Sequence, residues 1–169
     1  TVTVNDVQSP SFVGPEQWAS SVLEFSSEYS TEYAGANNWW DADQALGYPN
    51  VYPQYGDNDL TWAPFNEDSE REFISLGYNT PMYVSAIDIY ETYNPGAIDS
   101  ISLRNASTGV WYQVWTGTAE PYSPINTARI FTVTIPSTSY LVDAVRIALN
   151  SPAVPGWNEI DAVALKGSL

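Results

Sequence analysis

The sequence predicts an all-β fold, an antiparallel β-sandwich or jelly roll. Three observations carry that prediction: a series of short segments with period-two alternation, turn-forming clusters between them at regular spacing, and no helical stripe of useful length. At 169 residues the chain lies in the single-domain range and can bury a two-sheet core, so residues 1–169 read as one domain without linker, repeat or low-complexity run.

The first half is loop-rich in Ser, Asn, Tyr and Trp, and its best strands are Val2 to Val4 and Ser21 to Phe25. Asp41 to Gly47 reads as one short helical turn, with Asp41 as N-cap, Gln44 three residues later and Gly47 closing it. From residue 72 onward strands are expected at Glu72 to Leu76, Met82 to Tyr90, Ile98 to Leu103, Val110 to Trp115, Arg129 to Ile135, Val142 to Leu149 and Glu159 to Leu165. Asn79-Thr80-Pro81, Asn94-Pro95-Gly96, Ser107-Thr108-Gly109 and Ser151-Pro152 punctuate them.

Composition removes several classes of function. The chain has 20 acidic residues against five cations, a formal net charge of −15, which repels a phosphate backbone or an anionic membrane. An acidic surface is read either as solubility and salt adaptation or as a calcium-linked feature. With no Cys and no His, thiol nucleophiles, disulfides, imidazole metal sites and His-based triads are excluded, and any metal must be held by oxygen. No run of about 18 apolar residues occurs, and the first residues lack the features of a leader, so a mature or excised domain is expected. Composition rules out disorder too: 44% of residues are hydrophobic and 14% aromatic.

Asn50, Asp57, Asn58, Asp59 and Thr61 place hard oxygen donors in one Gly- and Pro-bounded loop, the donor type calcium requires. The alternative is a set of turn residues capping their own backbone. For a ligand, exposed aromatic rings beside amide and carboxylate groups are the pattern that binds a sugar. Trp39 and Trp40 fit it, after Asn37-Asn38 and before Asp41; Tyr48, Tyr52 and Tyr55 lie in a Pro-broken loop. Trp18, Trp62, Trp111 and Trp115 are expected in the core. Arginine is scarce, so each is expected to have an assigned carboxylate; Arg104 or Arg129 is favoured over Arg146 as a ligand contact, and Glu91 is the partner suggested for Arg146.

Several segments carry a resemblance: Trp18-Ala-Ser-Ser21, Ala45-Leu-Gly-Tyr-Pro-Asn50, Thr61-Trp-Ala-Pro64, the stretch from Ile89 to Ile98 containing Tyr93-Asn94-Pro95-Gly96, Val142 to Leu149, and Trp157 to Leu165. Together they resemble the discoidin-like, galactose-binding-like domain superfamily over nearly the whole chain. The resemblance implies a jelly roll of about eight strands, ligands held by loops at one end, and a structural calcium near where the chain ends meet. It adds Glu159, on the last strand, to a metal set of Asn50, Asp57 and Asp59. It marks Tyr93 and Asn94 as a ligand-side loop, giving Trp39, Trp40, Tyr52, Tyr55, Tyr93, Asn94 and Arg104 as expected ligand contacts.

The function these readings predict is a noncatalytic ligand-binding module for polysaccharide or cell-surface glycan, secreted or displayed at the cell surface, with neighbouring domains of a larger chain among its expected partners. A protein-recognition or adhesion domain is the alternative, because an aromatic patch serves a protein partner equally well. A small glycosidase using two carboxylates is the third reading; no catalytic motif supports it. No catalytic residues, nucleic-acid partner or membrane span are expected.

Overall fold

The fold is described from a computed structural model, in which residues 14–29 and 39–169 are placed. Eight strands form it: β1 (Glu16–Trp18), β2 (Ser21–Phe25), β3 (Arg71–Tyr93), β4 (Ile98–Asn105), β5 (Trp111–Thr116), β6 (Arg129–Thr134), β7 (Val142–Asn150) and β8 (Glu159–Ser168). Every pairing is antiparallel. The all-β sandwich is therefore present, and β2 has the bounds the alternation predicts. Val2 to Val4 lies outside the described residues.

One strand organises the rest. At 23 residues β3 would extend about 75 Å if straight, several times an ordinary strand, so it must serve more than one sheet. Its first part, Arg71 to Gly77, pairs with β7 on one side and β2 on the other. Its second part, Tyr83 to Tyr93, pairs with β8 and β6. The registers break between Gly77 and Met82, across Asn79-Thr80-Pro81. Proline cannot donate to a ladder, which suits an interruption in pairing. The tripeptide is the turn between two strands that the sequence analysis expects: Arg71 pairs with Asn150 and Tyr93 with Glu159, at the two ends of the 151–158 loop, so the second arm of β3 runs back to the end from which the first began. The two sheets are thus β2-β3-β7-β4-β5 and β1-β8-β3-β6.

The core fills the space between them. Ile74, Leu76, Ile87, Ile89, Ile101, Leu103, Val145, Ile147, Val163 and Leu165 are all fully buried, drawn from four strands of the two sheets. Trp62 is 0% exposed and donates its indole N–H to the Ser27 carbonyl at 3.1 Å, so the largest ring in the core satisfies its polar atom. Trp18, Trp111 and Trp115 are only half-buried. Arg146 faces away from Val145 and Ile147 as its alternation predicts, but its partner is Glu24 at 2.6 Å and not Glu91.

Strand directions gather the loops. Chain segments 94–97, 117–128 and 151–158 all join strands at one end of the sandwich, and the long 26–70 connection returns to that end at β3. The helical turn forms within it, as a 3-10 turn over Ala42–Ala45. Asp41 does not cap it through its side chain; the Ala42 N–H is taken by Glu28 Oε2 at 2.9 Å.

Candidate functional site

Two carboxylates at the start of β8 fasten the long connection to the sandwich. Glu159 and Asp161 are two residues apart and so share a face of the strand. Asp161 is fully buried and collects three backbone N–H groups, from Asn50 at 3.2 Å, Val51 at 3.1 Å and Tyr52 at 2.8 Å. Glu159 Oε2 accepts the Asn58 N–H at 3.1 Å and the Thr61 hydroxyl at 2.7 Å. Trp62 and Ile160 exchange both backbone hydrogen bonds, at 2.9 and 3.0 Å, which locks the register of the loop against β8. The sequence analysis missed Asp161; its signal was the Glu-Ile-Asp spacing, which puts two carboxylates on one face of a buried strand.

Glu159 has one oxygen left over. Its Oε1 is buried without a hydrogen-bond partner among the described residues. Burial raises the Glu159 carboxyl to about 8, and the neighbouring Asp57 charge pushes the same way. Beside it is a cavity of about 30 Å³ lined by Tyr29, Trp40, Asp57, Ala63, Trp157 and Glu159. Asp57 is held there by the Trp40 indole N–H at 3.0 Å. Of the four expected metal ligands, the structure brings Asp57 and Glu159 to this cavity. Asn50 instead gives its N–H to Asp161, and Asp59 gives its carbonyl to the Trp40 N–H at 2.9 Å; neither lines the cavity. No group of three acidic side chains among the described residues is placed to hold a metal ion.

Trp39 and Trp40 sit in a turn in which Trp40 has φ of +55°, so they do not alternate as in a strand. Trp39 is 41% exposed, whereas Trp40 packs edge-on against Tyr29 with centroids 5.2 Å apart. Tyr52 joins a chain of rings with Tyr90, Trp18 and Tyr48, spaced 5.1 to 5.5 Å. Their interplanar angles of 48° to 84° deny that row a flat stacking platform.

Tyr55 and Asn94 are brought together. The Tyr55 hydroxyl donates to Asn94 Oδ1 at 3.0 Å, and Tyr55 and Tyr93 stack edge to face at 5.5 Å. Burial raises the Tyr55 hydroxyl above its ordinary value. Asn94 adopts φ of +40°, a conformation Asn tolerates better than most residues, and is held by Trp157 O at 2.9 Å and by the Asn158 amide on its own carbonyl at 2.9 Å. This pair lines a cleft of about 260 Å³ whose other walls include Tyr122, Ile125, Asn126, Thr127 and Pro155. Ile125 is 79% exposed at its rim. Arg104 does not reach it: β4 runs away from this end, placing Arg104 roughly 20 Å along the strand, in a bidentate pair with Asp143 at 2.8 and 3.0 Å.

Two antiparallel sheets packed face to face, with loops gathered at one end, define the class of the protein: an antiparallel β-sandwich domain. Within that class the chain belongs to the family described as "Pappalysin-1, SD scarf domain, C-terminal", whose model matches residues 15–169. A Bos taurus relative, F-box/LRR-repeat protein 4, is 28% identical over 197 aligned positions covering 99% of this chain and 31% of the relative. The chain thus spans about a third of that relative's length. Among solved structures, the C-terminal domain of a Bacteroides fragilis chitobiase superposes with a TM-score of 0.62 at 14% identity, covering 89% of this chain and 93% of that one. The chitosan-binding module 1 of a Paenibacillus sp. IK-5 chitosanase/glucanase gives 0.59 at 16% identity, over 91% and 95%. XRCC1, in a complex with the DNA polymerase beta catalytic domain, gives 0.57 at 14% identity, over 90% and 99%. At these identities the likeness is one of fold, and function has to be argued from the site.

Proposed function

We propose that the protein is a noncatalytic carbohydrate-binding module whose ligand enters the cleft beside Tyr55 and Asn94. The observation that carries this reading is the cleft itself, about 260 Å³ at the loop end, combining the Tyr122 ring with the polar groups of Tyr55, Asn94, Asn126 and Thr127. Rings supply an apolar face, and the amide and hydroxyl groups bond sugar hydroxyls. Chitosan binding by a structural neighbour supports the same class of ligand. A secreted or cell-surface setting belongs to this reading; no helix among the described residues is long and apolar enough to cross a membrane.

A glycan array probed with the tagged domain tests it. A coherent set of bound glycans is expected, with affinity reduced about tenfold or more by Y55F and N94A, since each removes a polar group from the cleft. A blank array would transfer the cleft to a protein partner, for which the exposed Ile125 and its proline rim are suited.

A structural calcium is part of the proposal. The unpartnered Glu159 Oε1 and the adjacent Asp57 fit a hard cation, and Asp57 and Glu159 are the side chains that would hold it. A bound ion stabilises by mass action, so the melting temperature should rise between chelator and millimolar calcium. An unchanged melting temperature would remove the metal.

A further inference from the structure

A second cleft lies across the 117–128 loop from the first, where β5 and β6 are edge strands of their two sheets. It encloses about 200 Å³, and Trp115, Thr118, Glu120, Arg129 and Phe131 line it. Arg129, the first residue of β6, stands opposite Glu91 of β3 and donates through Nε to Glu91 Oε2 at 2.5 Å. Glu91 is buried, and its other oxygen takes the Gly96 N–H at 3.0 Å. The Tyr122 and Phe131 rings lie against the guanidinium, 4.9 and 4.6 Å from its carbon, so the group is fixed in position as well as paired.

What remains is a rigid fork. Arg71, Arg104 and Arg146 each give a terminal nitrogen to a carboxylate. Arg129 is different: its two terminal nitrogens make no hydrogen bond among the described residues, and its side chain is 18% exposed. Glu120, on the same cleft, accepts no side-chain hydrogen bond among the described residues either and is exposed. Donors and an acceptor thus face one volume, next to the Trp115 and Phe131 rings, which pack on each other at 5.1 Å.

We propose that this cleft is a second saccharide subsite, one that takes the hydroxyl-bearing edge of a neutral sugar ring. The proposal rests on the carbohydrate reading above. Neighbouring sugar hydroxyls both accept and donate, which matches the Arg129 fork beside Glu120 and leaves the apolar ring face to Trp115. An anionic ligand fits worse: Glu120 shares the cleft, Glu91 already balances the Arg129 charge, and the chain carries a net charge of −15.

The test is a nuclear magnetic resonance titration with galactose, glucose, mannose and N-acetylglucosamine, and with glucuronate as the anionic probe. The Trp115 indole and Arg129 guanidinium signals report this cleft, and the Asn94 side-chain amide reports the first. At least one neutral sugar should shift Trp115 and Arg129 saturably. E120Q and R129K should each weaken that response about tenfold, R129K keeping a cation for Glu91. Four results would overturn the subsite: unmoved Trp115 and Arg129 signals, movement by glucuronate alone, or unchanged binding in either folded variant. Movement of Asn94 without Trp115 sinks the second subsite and leaves the first reading intact, whereas silence at all three positions sinks both.

Discussion

Glu159 and Asp161 are both buried carboxylates two residues apart, yet they differ in how many donors they meet. Asp161 accepts three backbone N–H groups, whereas Glu159 has one oxygen unpartnered. Replacing Asp161 by Asn would set an amide N–H₂ against donors that need an acceptor. D161N should therefore lower stability by about 2–3 kcal/mol, read from chemical denaturation, and loosen residues 50–52 first. For Glu159 the pH dependence has a definite sign. Its folded value of about 8 lies above the ordinary 4.5, so between those values the folded chain binds a proton that the unfolded chain has lost. In chelator the Glu159 contribution to stability should fall as pH rises through that window. Calcium, by pairing with the ionised form, should remove the fall, and E159Q should remove both effects.

The loops gathered at the end of the sandwich that holds both clefts depend on backbone contacts between elements. Gly96 has φ of +120°, and a Cβ there would fall on the Glu120 carbonyl oxygen; the Glu120 N–H in turn donates to the Gly96 carbonyl at 3.1 Å. Gly96→Ala should cost more than about 2 kcal/mol, measured by thermal unfolding, and should blunt ligand response in both clefts because the 117–128 loop walls each of them. The sandwich strands were legible because half-buried strands advertise themselves by alternation. Three-residue β1 was not, being too short to show a period. Asn79-Thr80-Pro81 was legible as a chain reversal, because a turn-forming cluster with proline stood between two alternating runs. At the site, Tyr55 was legible as a loop aromatic and Asp57 as an oxygen donor, whereas Tyr93, Asn94 and Glu159 entered through the family resemblance. Arg104 and Asn50 read alike in sequence but are placed elsewhere by strand direction and by the Asp161 clamp. Partnerships across about a hundred residues, such as Asp161 with 50–52, leave no local pattern to read.

Across the whole molecule all five cations are paired, while the buried Glu72, Glu159 and Asp161 are held by uncharged donors. Arg71, Arg104, Arg129 and Arg146 each meet a carboxylate, and Lys166 meets Glu16 and Asp88. Most of these pairs are partly exposed and contribute modestly, so the stability of the fold rests on the apolar core between the sheets. The two arms of β3, Arg71 to Gly77 and Tyr83 to Tyr93, lie one in each layer and are joined by the turn at 78–82. Each layer buries its inner face only against the other, so neither has a core of its own. Native-state hydrogen exchange should show this directly: amides in 72–77 and in 84–91 should open with the same free energy, within about 1 kcal/mol, as a single cooperative unit. Loops mounted at one end of such a body rest on both layers at once, so they can differ in conformation while the scaffold behind them responds as one piece.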